Sequence, residues 1–384
     1  DYDKSYEIIN QLIKLNKNND CVKCECIGNL YLGHYYSQSG DFKKAIVYYE
    51  KSHNLAFKVK ENYLIQKTYA WLGQTYIDIR EFDKAEKIIN EAINYQIQSE
   101  DKKGIEDCYF LLGVINYEKG FLNKAIENYI LVEKNIQPDN LDANILKMGV
   151  YNNIAQSYRE LKNYQKATKY VDNGIQLAKQ EKDTFNLMNI SLNKGIIEIE
   201  LNDVKKGVSI LEDCYNYFND TENSIYKGST SLFLGIGNTK LKKYNIAQEY
   251  FNVAEKIYSD FDDNLYLAQT LAYRAKNSLH QDKKELALGD IQKAYELSKN
   301  ETFYPEKISI LKIYIELLLA NNKIRSINSL LIEKDSLESI LTKRMEKDEF
   351  LKLETQYQTE KKEQEIELLK AKNELSEKQK YSYI

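Results

Sequence analysis

The chain has 384 residues, with 54 basic against 58 acidic side chains and a net charge of −4. That near-balance argues against a general nucleic-acid surface, which needs a basic excess, and no apolar run reaches the roughly 18 residues of a membrane span. With 15 glycines and 2 prolines, connections must be short and helix must dominate; the length is large for one compact core but ordinary for a stack that gains a layer with each repeat.

Asp1 is not followed by a basic-then-apolar leader. Ser5 stands 40 residues before Ala45, and Tyr6 to Leu15 read as a second helix whose first helix is missing, so the chain as given is expected to begin within a repeating unit. From there a small residue recurs at Gly33, Gly73, Gly113, Ala155, Gly195, Gly235 and Ala275, in steps of 40, 40, 42, 40, 40 and 40. Twelve residues after each stands a second one: Ala45, Ala85, Ala125, Ala167, Gly207, Ala247 and Ala287. Small residues at this spacing let two antiparallel helices approach closely. The turn between them repeats as well, as Gly40-Asp41-Phe42, Arg80-Glu81-Phe82, Gly120-Phe121-Leu122, Lys162-Asn163-Tyr164 and Lys242-Lys243-Tyr244, each closing on an aromatic or apolar plug. An eighth, degenerate unit carries Ile315 and Ile327 at the small positions, as a terminal capping unit would.

The most complete copy runs from Tyr69 to Ala92, with Leu72, Gly73, Tyr76, Phe82, Ala85, Ile89 and Ala92 in place. This stretch resembles the tetratricopeptide repeat (TPR), a helix-turn-helix unit that stacks into a superhelix. The resemblance implies an all-α fold: a right-handed TPR superhelix, or α-solenoid, of about eight 40-residue repeats plus a long C-terminal helix. The family's usual period is 34. Six extra residues per unit, at about 1.5 Å each, predict longer helices and an altered pitch. The expected divisions are 1–28, the second helix of a truncated repeat and its connection; 29–329, the solenoid; and 330–384, the C-terminal helix. Gln137-Pro138-Asp139-Asn140 fills the 42-residue step and predicts a small irregularity, while Pro305 opens the last unit.

In such arrays the first helices face the concave groove. The resemblance therefore implies a ligand or peptide groove lined by Tyr31, His34, Trp71, Gln74, Phe110 and Val114, then by Asn152, Asn153, Gln156 and Asn193. The first set is aromatic and apolar, the second rich in amides that both donate and accept. Leu30 and His34 stand where some relatives place the Lys and Asn that clamp a terminal carboxylate, so that clamp is not matched. The three histidines are scattered, and no glycine-rich phosphate loop or nucleophile elbow is present. No catalytic residue, metal or cofactor is expected, and no direct contact with nucleic acid. Among the five cysteines, Cys214 falls at a core position and Cys108 is expected to be partly buried. Cys21, Cys24 and Cys26 lack the second ligand pair of a zinc site and are expected as free thiols, with a local disulfide as the alternative.

Beyond Ile327 the pattern changes to Leu330, Leu331, Leu337, Ile340, Leu341 and Met345 at helical spacing, then to a charged stretch, 346–380, with a slipped apolar seam. That seam predicts a long helix and at most weak self-association. The segment from Leu353 to Lys370 resembles the connector of membrane-bound regulators of the Bacteroidetes group, in which a TPR array outside the inner membrane precedes one span and a cytoplasmic histidine kinase or helix-turn-helix domain. The implied role is a non-catalytic sensor region, on the periplasmic side of an inner-membrane signalling protein, that takes a protein or peptide ligand. The alternative is a cytosolic TPR scaffold or peptide-sensing regulator.

Overall fold

The computed structural model describes residues 21–99, 104–136, 143–221, 223–299, 304–323 and 327–346. The opening helix expected over Tyr6 to Leu15, the irregularity at Pro138, and the tail from 347 onward, with its connector, coiled-coil seam and dimer contact, all lie outside the described residues. What is described is all-helical. The helices are α1 (Val22–Gln38), α2 (Phe42–Val59), α3 (Asn62–Asp78), α4 (Phe82–Gln98), α5 (Ile105–Glu118), α6 (Leu122–Asn135), α7 (Ala143–Glu160) and α8 (Tyr164–Gln180). They continue with α9 (Thr184–Glu200), α10 (Val204–Asp220), α11 (Ser224–Lys240), α12 (Tyr244–Asp260), α13 (Asn264–His280), α14 (Lys284–Ser298) and α15 (Tyr304–Ala320). A further helical stretch, 327–346, completes the last unit. Among the described residues, no helix is long and apolar enough to cross a membrane.

The hairpin within each unit is set by a size match. A carbon added to Gly33 would lie 2.4 Å from the Tyr49 ring, to Gly113 2.3 Å from Tyr129, and to Gly235 2.5 Å from Phe251. Those large partners stand sixteen residues after the small one, and the same offset puts Val171 against Ala155 and Ile291 against Ala275. All five partners are buried. Where the partner is aromatic the small residue must be glycine; where it is aliphatic, alanine is tolerated. At Gly195 and Gly207 the two helices touch through backbone, since a carbon on Gly207 would meet the Gly195 carbonyl oxygen at 2.6 Å.

Seven residues after the small position the chain turns, through a left-handed residue in all eight units. Gly40 and Gly120 supply it without strain, while Arg80, Lys162, Asn202, Lys242, Asp282 and Asn322 hold the same positive φ. Asn322 falls in register, so the degenerate eighth unit keeps the turn although Ile315 and Ile327 have replaced its small residues. The turn satisfies the carbonyls at the end of the first helix: Arg80 N–H donates to Ile77 O at 2.8 Å and Glu81 N–H to Tyr76 O at 2.8 Å. Asp41, Asn163 and Asp203 cap the following helices through their side chains. The expected plug opens each of these second helices as Phe42, Phe82, Leu122, Tyr164, Val204 or Tyr244.

The superhelix closes on itself. Arg344, on the stretch 327–346, donates from Nη1 to the carbonyl oxygen of Lys119 at 3.1 Å, 225 residues away in sequence. Its guanidinium lies 4.5 Å over the Tyr304 ring, and Leu341 comes against Gly120. The last unit thus rests against the turn of the third and encloses a channel between them.

Gly113→Ala should force the Tyr129 ring aside and lower stability by about 1–3 kcal/mol. Gly289→Ala, where an added carbon meets nothing within 4 Å in the middle of α14, should instead raise it by roughly 0.5–1 kcal/mol. Chemical denaturation of the two variants reads both signs.

Candidate functional site

The channel has a volume of about 620 Å³ and is walled by residues of seven successive units, from Arg80 in the second to Glu306 and Ser309 in the eighth. Its lining follows a single helical face. Counting from the small residue of each first helix, much of it takes positions six and two before and one and five after, an offset of four, three and four that repeats along one side of a helix. In the fifth unit these are Asn189, Asn193, Ile196 and Glu200; in the fourth, Asn153, Gln156 and Glu160.

Of the residues read from sequence, the structure brings Val114, Asn153, Gln156 and Asn193 into this channel. Asn152 is buried behind it, where its Oδ1 accepts from Asn193 Nδ2 at 2.7 Å. The aromatic set lies apart, on the early units. His34 stacks on Trp71 at 4.7 Å, and Tyr31 and Tyr49 meet the same ring edge-on at 6.2 and 5.8 Å. Trp71 is thereby a joint between the first two units. Gln74 donates to Asp78 Oδ1 at 2.8 Å, and Phe110 packs on Tyr129 at 5.7 Å.

The charged centre of the channel was not among the expected residues. Arg159 donates from Nη2 to Glu160 Oε1 at 2.7 Å and from Nη1 to Asn193 Oδ1 at 3.5 Å, while its buried Nε has no partner. Burial works against its charge, but Glu160, Tyr117 and Glu200 outweigh that and raise its pKa above the ordinary value. Facing it is Glu306, in the first turn of α15, whose buried Oε2 also lacks a partner. Burial, reinforced by repulsion from Glu160, pushes the Glu306 carboxyl up to about 8 against the pull of Arg159. Burial raises the Glu200 carboxyl as well, opposed by Arg159 and Lys162. Tyr117 of α5 and Tyr266 of α13 lie within the field of both Glu306 and Arg159, and burial pushes both hydroxyls up. Position five after the small residue carries Asp78, Glu118, Glu160 and Glu200 in four successive units. That acidic ladder was the sequence signal for this centre.

The cysteine expectation is corrected in part. Cys21 and Cys24 are joined in a disulfide. Cys21 caps α1 and Cys24 stands one turn in, so the helix start brings them to a Cα separation of 5.3 Å. Cys26, Cys108 and Cys214 are buried thiols. Cys108 donates to Gln96 Oε1 at 3.7 Å and Cys214 to Met188 O at 3.4 Å, and burial lifts both to about 12, so neither is a nucleophile at neutral pH. Among the described residues, no group of three His, Cys, Asp or Glu is placed to hold a metal.

The tetratricopeptide repeat family model matches residues 31–58, 66–96 and 149–181. No curated protein sequence matches. Among solved structures, the chain is similar to the apo form of the quorum sensor NprR from B. thuringiensis, with a TM-score of 0.64 at 17% identity over 78% of this chain and 83% of that one. It is also similar to the Rap conjugation gene regulator of the plasmid pLS20 in complex with the Phr* peptide, with a TM-score of 0.63 at 12% identity over 89% and 95%. A third likeness is to aspartyl phosphate phosphatase F from Bacillus subtilis, with a TM-score of 0.60 at 14% identity over 88% and 92%. At these identities the likeness is one of fold: a TPR solenoid.

A carboxyl whose pKa is higher in the folded than in the unfolded state binds its proton more tightly when folded. The stability that Glu306 contributes is therefore full below its unfolded value near 4.5 and is lost as pH rises to about 8. Glu306→Gln, which cannot ionise, should accordingly be more stable than the native chain at pH 9, by on the order of 1–3 kcal/mol, and match it near pH 4.5. Denaturation curves at the two pH values check the sign.

Proposed function

We propose that this solenoid is a peptide-binding sensor region of a regulatory protein, with the enclosed channel as its binding site and no chemistry of its own. The observation that carries the reading is the channel's lining. Amides line the inner face at Asn153 and Gln156 in the fourth unit, Asn189 and Asn193 in the fifth and Gln269 in the seventh. Amides on successive helices can donate to and accept from the backbone of an extended chain lying across them, whatever its side chains. Apolar residues between them, Val114, Leu192, Ile196 and Phe233, provide surface for side chains. Of the two settings that the sequence raises, the peptide-sensing regulator is favoured. The similar structures include a quorum sensor and a conjugation gene regulator in complex with a peptide, and the fold shared with them supports the same use here. Binding would act as a population shift, since a peptide spanning the channel contacts both the middle units and the last one, and favours the closed superhelix over any opened form.

One observation favours the second setting, an extracytoplasmic sensor of a histidine kinase or transcriptional regulator. The Cys21–Cys24 disulfide suits an oxidising compartment. Alkylation of chain recovered from its native cells without reduction separates the two: three modified thiols fit the second setting, five the first.

The binding reading is tested by panning a random heptapeptide library on the immobilised chain and measuring selected peptides by calorimetry. Asn153→Ala and Gln156→Ala together should weaken binding at least tenfold, about 1.4 kcal/mol, with the helical circular dichroism unchanged. Undiminished affinity would place the peptide elsewhere.

A further inference from the structure

The charges of the channel do not balance. Its lining holds five carboxylates, against Arg80, Arg159 and Lys162. Arg80 pairs with Glu118 at 3.2 Å and Arg159 with Glu160 at 2.7 Å, while Lys162 lies in the field of Glu200. Two acids remain. Asp263 spends Oδ1 on the backbone N–H of Tyr266 at 3.2 Å, as the cap of α13. Glu306 keeps a buried Oε2 with no hydrogen-bond partner. A buried acceptor left unsatisfied is costly, and a carboxylate more so. A proton removes the charge, and burial together with Glu160 pushes the Glu306 carboxyl up to about 8.

We propose that Glu306, with its unpartnered buried Oε2, is a subsite for the guanidinium of an arginine side chain on the bound peptide, in a channel lining that also holds Tyr117 and Tyr266. This deepens the peptide-binding reading and rests on it. Guanidinium suits the place better than ammonium because its flat fork pairs with a carboxylate through two parallel N–H groups and can stack on a tyrosine ring of the lining. Tyr266 lines the channel and keeps 40% of its surface exposed. The exchange is balanced: the guanidinium enters as a cation, the Glu306 proton leaves to solvent, and the channel's net charge is unchanged. The groups facing Glu306 are Tyr117 and Glu118 on α5, Arg159 and Glu160 on α7, and Tyr266 and Tyr273 on α13. With the tyrosines raised and Arg159 fixed as a cation, the Glu306 carboxyl is pushed up to about 8. An arginine there also ties the eighth unit to the fourth, so the ligand's charge is read at the seam where the superhelix closes.

The test uses the same heptapeptide selection on the full chain. Selected peptides should carry arginine at one shared position, and replacing it by citrulline, its neutral isostere, should weaken binding to the native chain tenfold or more. The same replacement should cost little against Glu306→Gln. On the native chain alone, affinity for the arginine peptide should rise by up to tenfold per pH unit from 6 to 8 and then level off, a readout that does not depend on the variant's folding. Peptides that bind in the channel with no preference for arginine, an equal citrulline penalty in both chains, or an affinity flat across that pH range would overturn the subsite while leaving the groove standing. A library that yields no binder would overturn both.

Discussion

Everything in this molecule depends on one contact made seven times: a glycine or alanine of a first helix against a large residue sixteen places on, in the helix that folds back over it. With Gly33 beneath Tyr49 and Gly113 beneath Tyr129, the helix axes approach until side chain meets backbone. The left-handed residue seven places after the small one then fixes the turn in every unit. Because the same contact sets the angle of every hairpin, the units add a constant rotation and the stack curves. After eight units the curve brings Arg344 to the carbonyl of Lys119.

Closure changes the chemistry of the inner face. On an open solenoid Glu118, Glu160 and Glu200, five places after the small residue of their units, and Glu306, nine places before Ile315, would be solvated carboxylates. Facing one another across a channel they lose solvent, and the effects of burial and repulsion on Glu306 and Glu200 follow. Arg159 survives as a buried cation because Glu160 answers it directly. The residual acidity is a property of the ring and belongs to no single repeat, which is why the site joins residues as distant in sequence as Arg80 and Glu306.

How much of this the sequence shows depends on the range of the interaction. The units, their period, the turn residues and the loss of the small residues in the eighth unit follow from local spacing, and so does the burial of Cys214. The residues expected to line a groove are divided in the structure. Asn153, Gln156 and Asn193 lie on the expected face, but Trp71 is an inter-unit joint with His34, Tyr31 and Tyr49 around it, because a large ring near a hairpin contact packs before it can serve a ligand. Arg159 and Glu306 were out of reach of local reasoning: they belong to different units, and only the accumulated rotation of the stack brings them together. Sequence offers the Cys21–Cys24 pairing only as an alternative to free thiols, whereas the first turn of α1 makes it geometrically easy.

If closure of the superhelix creates the binding site, a bound ligand must hold the two ends of the channel together. Hydrogen–deuterium exchange on the full chain, with and without a peptide selected on it, measures this directly. Slowed exchange in both α7 and α15 is the predicted result, since those helices carry Arg159 and Glu306. Protection confined to α1, α3 and α5, or no protection at all, would contradict it.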